Sequence, residues 1–215
     1  EVFKRKAQQL MESGVIIIDP DTTYIEEKVE VGSATVLHPG VHLRGNTRIA
    51  SFCVLEPGVI VSDSELSEHV EVKAYSVIEG AKIGKQSVIG PFARLRPETE
   101  LGQDVKIGNF VETKKVKIQN GVKASHLTYL GDAEVGENTN IGCGTITCNY
   151  AADRKKYRTV IGKNVFVGSD TQFVAPITVG DGAVIGSGST VTKDVPAGSL
   201  AVARGRQIIK ENYRK

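Results

Sequence analysis

The chain has no tryptophan, and aromatic residues make up only 6% of its 215 residues. A core of stacked large rings is therefore excluded. The interior has to come from Val, Ile, Leu and Ala, and hydrophobic residues reach 40% in total, enough for packing. Cysteine is scarce: Cys53, Cys143 and Cys148. Three cannot all pair within one chain, and their spacing fits no zinc pattern, so reduced thiols in a cytoplasmic setting are expected. No charge sign dominates, with 27 Lys and Arg against 25 Asp and Glu. That balance argues against a nucleic-acid partner. The denser basic stretches 154–158 and 204–215 read as solvated surface or as patches that meet phosphate. No apolar run is long enough to span a membrane, and no secretory signal is expected. The chain opens on Glu1 and its single methionine is Met11, so it is expected to be a piece of a longer protein.

What the chain does have is glycine, 23 residues of it, and a period. Residues 1–13 are good helix formers with Gly14 as a stop, followed by a short strand Val15–Ile18 and the turn Asp19-Pro20-Asp21. Segment 1–21 reads as a linker. From Ile25 an aliphatic residue recurs at every sixth position: Ile25, Val31, Leu37, Leu43, Ile49, Leu55, Val61. The phase slips through 62–72 and resumes at Ile83, Ile89, Leu95, Leu101 and Ile107. It returns at Val135 and Ile141, with Thr147 as a small continuation, and again from Ile161 through Val167, Phe173, Val179, Ile185 and Val191 to Ala197. Gly often follows the aliphatic residue. A period of six is neither helical nor simple strand alternation. It predicts an all-β fold, a parallel β-helix of hexapeptides spanning 22–204, in which three hexads make one triangular coil. Coils stack at roughly 4.8 Å. The longest break, 149–159, is polar, basic and carries two tyrosines, as functional loops often do. The segment 205–215 reads as a charged tail.

Chemistry-bearing residues crowd into the middle third. His126 is one of four histidines, and an imidazole on a rigid stack is a natural base near neutral pH, although a lone histidine is more often structural. Arg96 and Lys114 are eighteen residues apart and so stack in a coil of that length. Either an anion lies between the two cations, or both point to water.

The stretches Phe92-Ala-Arg-Leu-Arg-Pro, Gly108-Asn-Phe-Val-Glu, His126-Leu-Thr-Tyr-Leu-Gly-Asp, Gly142-Cys-Gly-Thr-Ile-Thr-Cys-Asn-Tyr and Phe166-Val-Gly-Ser-Asp-Thr-Gln carry a family resemblance. The chain resembles the C-terminal half of the bacterial bifunctional enzymes that join glucosamine-1-phosphate N-acetyltransferase to N-acetylglucosamine-1-phosphate uridylyltransferase, within the hexapeptide-repeat acyltransferases. The resemblance covers nearly the whole chain. It implies left-handed coiling, an upstream uridylyltransferase domain joined through 1–21, and acetyl-CoA as co-substrate. It implies His126 as general base, and Arg96, Lys114, Tyr129, Asn140 and a lysine of the 149–159 loop as sugar-phosphate ligands. It places Cys143, Asn149, Tyr150, Ser169, Ser187 and Arg204 beside acetyl-CoA, in a homotrimer whose sites are shared between subunits. Mg2+ is implied only for the uridylyltransferase half. No uridylyl transfer is expected here, because Gly186-Ser-Gly188 lacks the third glycine and the strand–helix setting of a dinucleotide loop.

The loop departs from the family pattern, beginning Ala151-Ala152 and running one residue longer. Counting back from Thr159 gives Lys156 as its ligand, and counting forward from Asn149 gives Lys155; the Lys-Tyr-Arg-Thr order favours Lys156. Cys143 and Ser187 stand where alanine is common. Three other readings remain. One is a hexapeptide acyltransferase with a different acceptor. Another is a metal-dependent carbonic anhydrase with His38 and His42 as a ligand pair, but a zinc site needs a third ligand and His69 lies in an irregular segment, so these read as surface or corner histidines. The third is a solenoid with no catalysis at all.

Overall fold

A computed structural model describes residues 2–211 and Tyr213. Glu1 and the tail residues Asn212, Arg214 and Lys215 lie outside the described residues. The expected helix is α1, Val2–Glu12. Ala7 and Leu10, one turn apart, bury themselves in the core, and Met11 packs against it. Gly14, at φ 92°, closes the helix: its N–H donates to the Met11 carbonyl, and the Val15 N–H donates to that of Leu10. The helix is thus a cap on one end of the core. The strand Ile16–Ile17 already pairs with Val36–Leu37.

Beyond it the described residues form one parallel sheet of 26 strands that winds as a three-sided coil. On the first face the ladder climbs through Val36–Leu37, Val54–Leu55, Glu71–Val72 and Val88–Ile89. On the second it runs through His42–Arg44, Ile60–Ser62, Val77–Glu79 and Arg94–Leu95. On the third it runs through Arg48–Ile49, Glu65–Leu66, Ala81–Ile83 and Thr99–Leu101. The sixth-position aliphatics form the interior, with Leu37, Leu55, Ile89, Ile107 and Ile185 fully buried. Between them, small residues fill the second inward position of each hexad. Many are Thr or Ser, and their hydroxyls are satisfied by stitching coils together. Thr35 Oγ1 donates to the Ala50 carbonyl at 2.8 Å and accepts the Cys53 N–H at 3.1 Å. Thr147, expected as a small inward residue, does the same work, donating to the Gly131 carbonyl and accepting the Gly131 N–H.

The phase slip in the sequence has a structural cause. Between the second and third faces the inward step shortens to five residues, from Val61 to Leu66, Ile78 to Ile83 and Leu130 to Val135. Coils through this region therefore repeat at seventeen residues, as in Val54 to Glu71 and Lys106 to Lys123. The last coil is shorter still, with Ile185 pairing to Ala201. That overturns one inward assignment: Ala197 is exposed, and Val195 fills the interior instead. The turn at Pro196–Gly198 cuts the corner. Segment 205–211 forms neither helix nor strand.

Because each inward aliphatic touches the coils above and below, truncating one leaves a cavity the rigid ladders cannot collapse. Leu55→Ala is expected to cost about 2–5 kcal/mol, read as a lowered denaturant midpoint with unchanged slope.

Candidate active site

Register converts sequence spacing into columns. His126 lies in the long strand Lys123–Val135, directly above Asn109 of the strand Lys106–Ile118. It is exposed at the end of the first face, and the next residue, Leu127, takes the left-handed corner conformation at φ 42°. Its Nδ1 lies 2.9 Å from Asn109 Oδ1. The corner residues above Leu127 are Gly144, Asp170 and Gly188, linked by N–H donation from Gly144 to Leu127 O, from Asp170 to Cys143 O and from Gly188 to Ser169 O. The residues preceding them are Cys143, Ser169 and Ser187. Asn109, His126, Cys143, Ser169 and Ser187 thus form one column up a single corner. At its top Arg204 Nη1 donates to the Ser187 carbonyl at 2.8 Å.

Around that corner, on the second face, Arg94 and Leu95 pair with Glu112 and Thr113, so the eighteen-residue step from Arg96 to Lys114 holds here. Arg96 donates to Glu112 Oε1 at 2.7 Å, and that bond raises the already high guanidinium pKa. Part of the expected anion is therefore supplied by the chain itself. Lys114 is half-buried, and among the described residues no carboxylate pairs with it. Tyr129 stacks over Glu112 in register. Its phenol lies across Gly131, where a Cβ would come 2.3 Å from the Tyr129 hydroxyl. Gly131 is therefore the residue that lets the phenol lie over the column of Arg96 and Lys114.

The 149–159 break is a hairpin with an antiparallel bridge between Tyr150 and Lys156. Asp153 caps its turn, accepting the Lys155 N–H at 2.9 Å and the Tyr157 hydroxyl at 2.7 Å. The hydroxyl bond holds the Asp153 carboxyl below its ordinary range and pushes the Tyr157 phenol up. The hairpin is anchored through Asp132, a buried carboxylate that accepts from Asn149 Nδ2. Lys156 and Lys115 each stand 3.9 Å from Asp132. That is too long for a direct hydrogen bond, so both ammonium groups keep donors to spare. Lys115, Asp132, Lys156, Tyr157 and Arg158 line a cleft of about 460 Å³.

Asn140 is the outlier of the set. It lies on the first face between Lys123 and Phe166, not with Arg96, Lys114 and Tyr129 on the second. Two of the three candidate metal histidines make other contacts: Arg44 and the Tyr24 ring meet His42, and the Phe52 ring stacks on His69. Among the described residues no three metal-capable side chains converge. All three cysteines are free thiols, and burial pushes those of Cys53 and Cys148 up. Asn109, Glu112 and Asp132 had no assigned role in the sequence reading. The signal was there: Asn109 precedes His126, and Asp132 precedes Asn149, by one seventeen-residue coil.

Removing the anchor should free the hairpin. Asp132→Ala leaves the Asn149 amide unpaired in a buried place, so tryptic cleavage at Arg154–Lys156 is expected to accelerate roughly 5–100-fold. Cleavage at the unaltered rate would show that the hairpin is held elsewhere.

A family model described as the GMPPB C-terminal domain matches residues 20–118, and one described as bacterial transferase hexapeptide, six repeats, matches residues 158–193. The curated protein "Bifunctional protein GlmU" of Bdellovibrio bacteriovorus is 61% identical over 212 residues, covering 99% of this chain and 46% of that protein. The protein of the same name from Carboxydothermus hydrogenoformans is 52% identical over 214 residues, with 100% and 48% covered. The chain thus spans about half the length of the curated relatives it matches. Among solved structures, the UDP-N-acetylglucosamine acyltransferase of Francisella novicida superposes with a TM-score of 0.57 at 15% identity, covering 87% of this chain and 67% of that one. The Campylobacter jejuni UDP-N-acetylglucosamine acyltransferase gives 0.51 at 18%, covering 87% and 71%. These likenesses carry the fold alone. No helix among the described residues is long and apolar enough to cross a membrane. At 61% identity over 99% of its length, the chain is similar to about half of the Bdellovibrio GlmU protein, and six hexapeptide repeats of the bacterial transferase type lie within it.

Proposed function

We propose that this chain transfers the acetyl group of acetyl-CoA to the amine of glucosamine-1-phosphate, within the cytoplasm, as one half of a bifunctional enzyme. The observation that carries the reading is the second face together with the corner at which it begins. At that corner His126 stands between a cationic face and a column of small residues, of which Ser169 and Ser187 are exposed and Cys143 is half-buried. On the cationic side, Glu112 and Asp132 meet only part of the charge of Arg96, Lys114, Lys115 and Lys156. The unmet positive charge, with the Tyr129 hydroxyl, suits a sugar phosphate. On the other side, Cys143, Ser169 and Ser187 leave an open track that ends at Arg204, a cation for the phosphates of the coenzyme. Asn149 and Tyr150 flank the hairpin root. Acetyl-CoA supplies a thioester. The amine nitrogen attacks the thioester carbonyl as the Nε2 lone pair of His126 accepts its proton; the C–S bond then breaks, and the proton passes to the departing CoA sulfur, which leaves as the thiol. Lys156 bridges into the hairpin and faces Asp132, which favours it over Lys155 as the loop's phosphate ligand.

His126→Ala is expected to lower turnover by about 10²–10⁴-fold with substrate affinity little changed. Arg96→Ala, Lys114→Ala and Lys156→Ala should mainly raise KM for the sugar phosphate, and Lys155→Ala should do less. Thiol release from acetyl-CoA with glucosamine-1-phosphate reads all of these. Near-normal turnover in His126→Ala would end the assignment.

The reading includes a homotrimer with shared sites. Asn140 is on the first face, and above it in register stand exposed Phe166, Val184 and Leu200. An apolar stripe beside a ligand residue suits a neighbour's second face, and such a head-to-tail contact closes a ring. Sedimentation should show a trimer. Mixing His126→Ala and Asn140→Ala chains, each weak alone, should restore activity in mixed trimers. Failure of every mixture to do so would place both residues in one subunit's site.

A further inference from the structure

We infer that Asn109 is a positioning residue for His126, holding the imidazole in the tautomer with its proton on Nδ1 and the lone pair of Nε2 free. The inference rests on the reading of His126 as the base. An amide oxygen only accepts hydrogen bonds, so at 2.9 Å from Asn109 Oδ1 the Nδ1 must carry a hydrogen. The opposite tautomer would set two lone pairs against each other. The hydrogen bond at one ring nitrogen thereby decides what the other can do.

The rung is built at several points. Asn109 and His126 are direct register partners, so their side chains leave the sheet side by side. Gly108 sits beneath Ser125, where a Cβ would meet the Ser125 carbonyl oxygen at 1.9 Å. Only glycine lets the strands approach this closely one residue before the rung. The Thr128 hydroxyl donates to the His126 carbonyl at 2.7 Å and holds the backbone beyond it. An asparagine here orients the ring without placing a fixed negative charge beside it.

The test uses the intact chain with 15N-labelled histidine. In the resting protein without substrates, His126 is expected to show a protonated Nδ1 and an unprotonated Nε2. Asn109→Ala should shift that signature toward the other tautomer. It should lower kcat by about tenfold, with both KM values within about twofold. Asn109→Asp, which keeps the acceptor, should restore the Nδ1–H signature and most of the rate. An unchanged tautomer in Asn109→Ala, or an Asn109→Asp variant no better than alanine, would overturn the inference. The tautomer is read without turnover. A failure of His126 as base, seen as an active His126→Ala, is therefore distinguishable from a failure of Asn109 to orient it.

Discussion

Parallel coil-on-coil register is the constraint on which this molecule depends. Backbone N–H groups along each strand find carbonyls on the neighbouring coils, so residues one coil apart are held side by side whatever their side chains. The aliphatic interior fixes that register: a slip of one residue would turn Leu55 or Ile107 outward and bring polar neighbours in. Function inherits the arrangement. His126 meets Asn109, and Asp132 meets Asn149, because the ladders set each beside the residue one coil away.

The corners distribute the chemistry. Most corners take a left-handed residue, and many of these are not glycine: Phe92, Phe110 and Leu127 follow one another up the edge that carries His126. Stacked rings help hold the first two, with centroids 5.6 Å apart. Leu127 is the step at which the aromatic ladder ends, and above it Gly144 opens the corner. The exposed base thus sits where the edge changes from large apolar side chains to small ones, which leaves its upper side accessible.

Much of the architecture was legible in the sequence, because the sixfold period is a direct image of the coil. The inward positions from Ile25 to Val61 and from Ile161 to Val191 follow from counting, as does the Arg96–Lys114 step. The rest was hidden by the shortened corner. A count of eighteen carries His126 back to Gly108 instead of Asn109, and Asn149 back to Gly131 instead of Asp132. An error of one residue is enough to lose a hydrogen-bond partner, although it hardly disturbs the hydrophobic pattern. Ala197 failed for the same reason, since the last coil closes early around Pro196–Gly198. Glu112 was missed differently: a list of cations points to an external anion, and only the side-chain geometry shows that the sheet brings one of its own.

That internal anion changes how the cationic face works. An unpaired Arg96 would be free to swing, and ordering it on a ligand would cost side-chain entropy. Paired with Glu112 at 2.7 Å, it is already oriented, and its remaining N–H groups still face outward. Lys156 is treated similarly: the hairpin fixes its backbone, Asp132 draws its ammonium inward, and the 3.9 Å separation leaves donors unspent. Half-satisfied cations of this kind are preorganised without being neutralised. The fold can afford them because both carboxylates are themselves held on adjacent coils, so the same register that builds the core also sets the charge of the site.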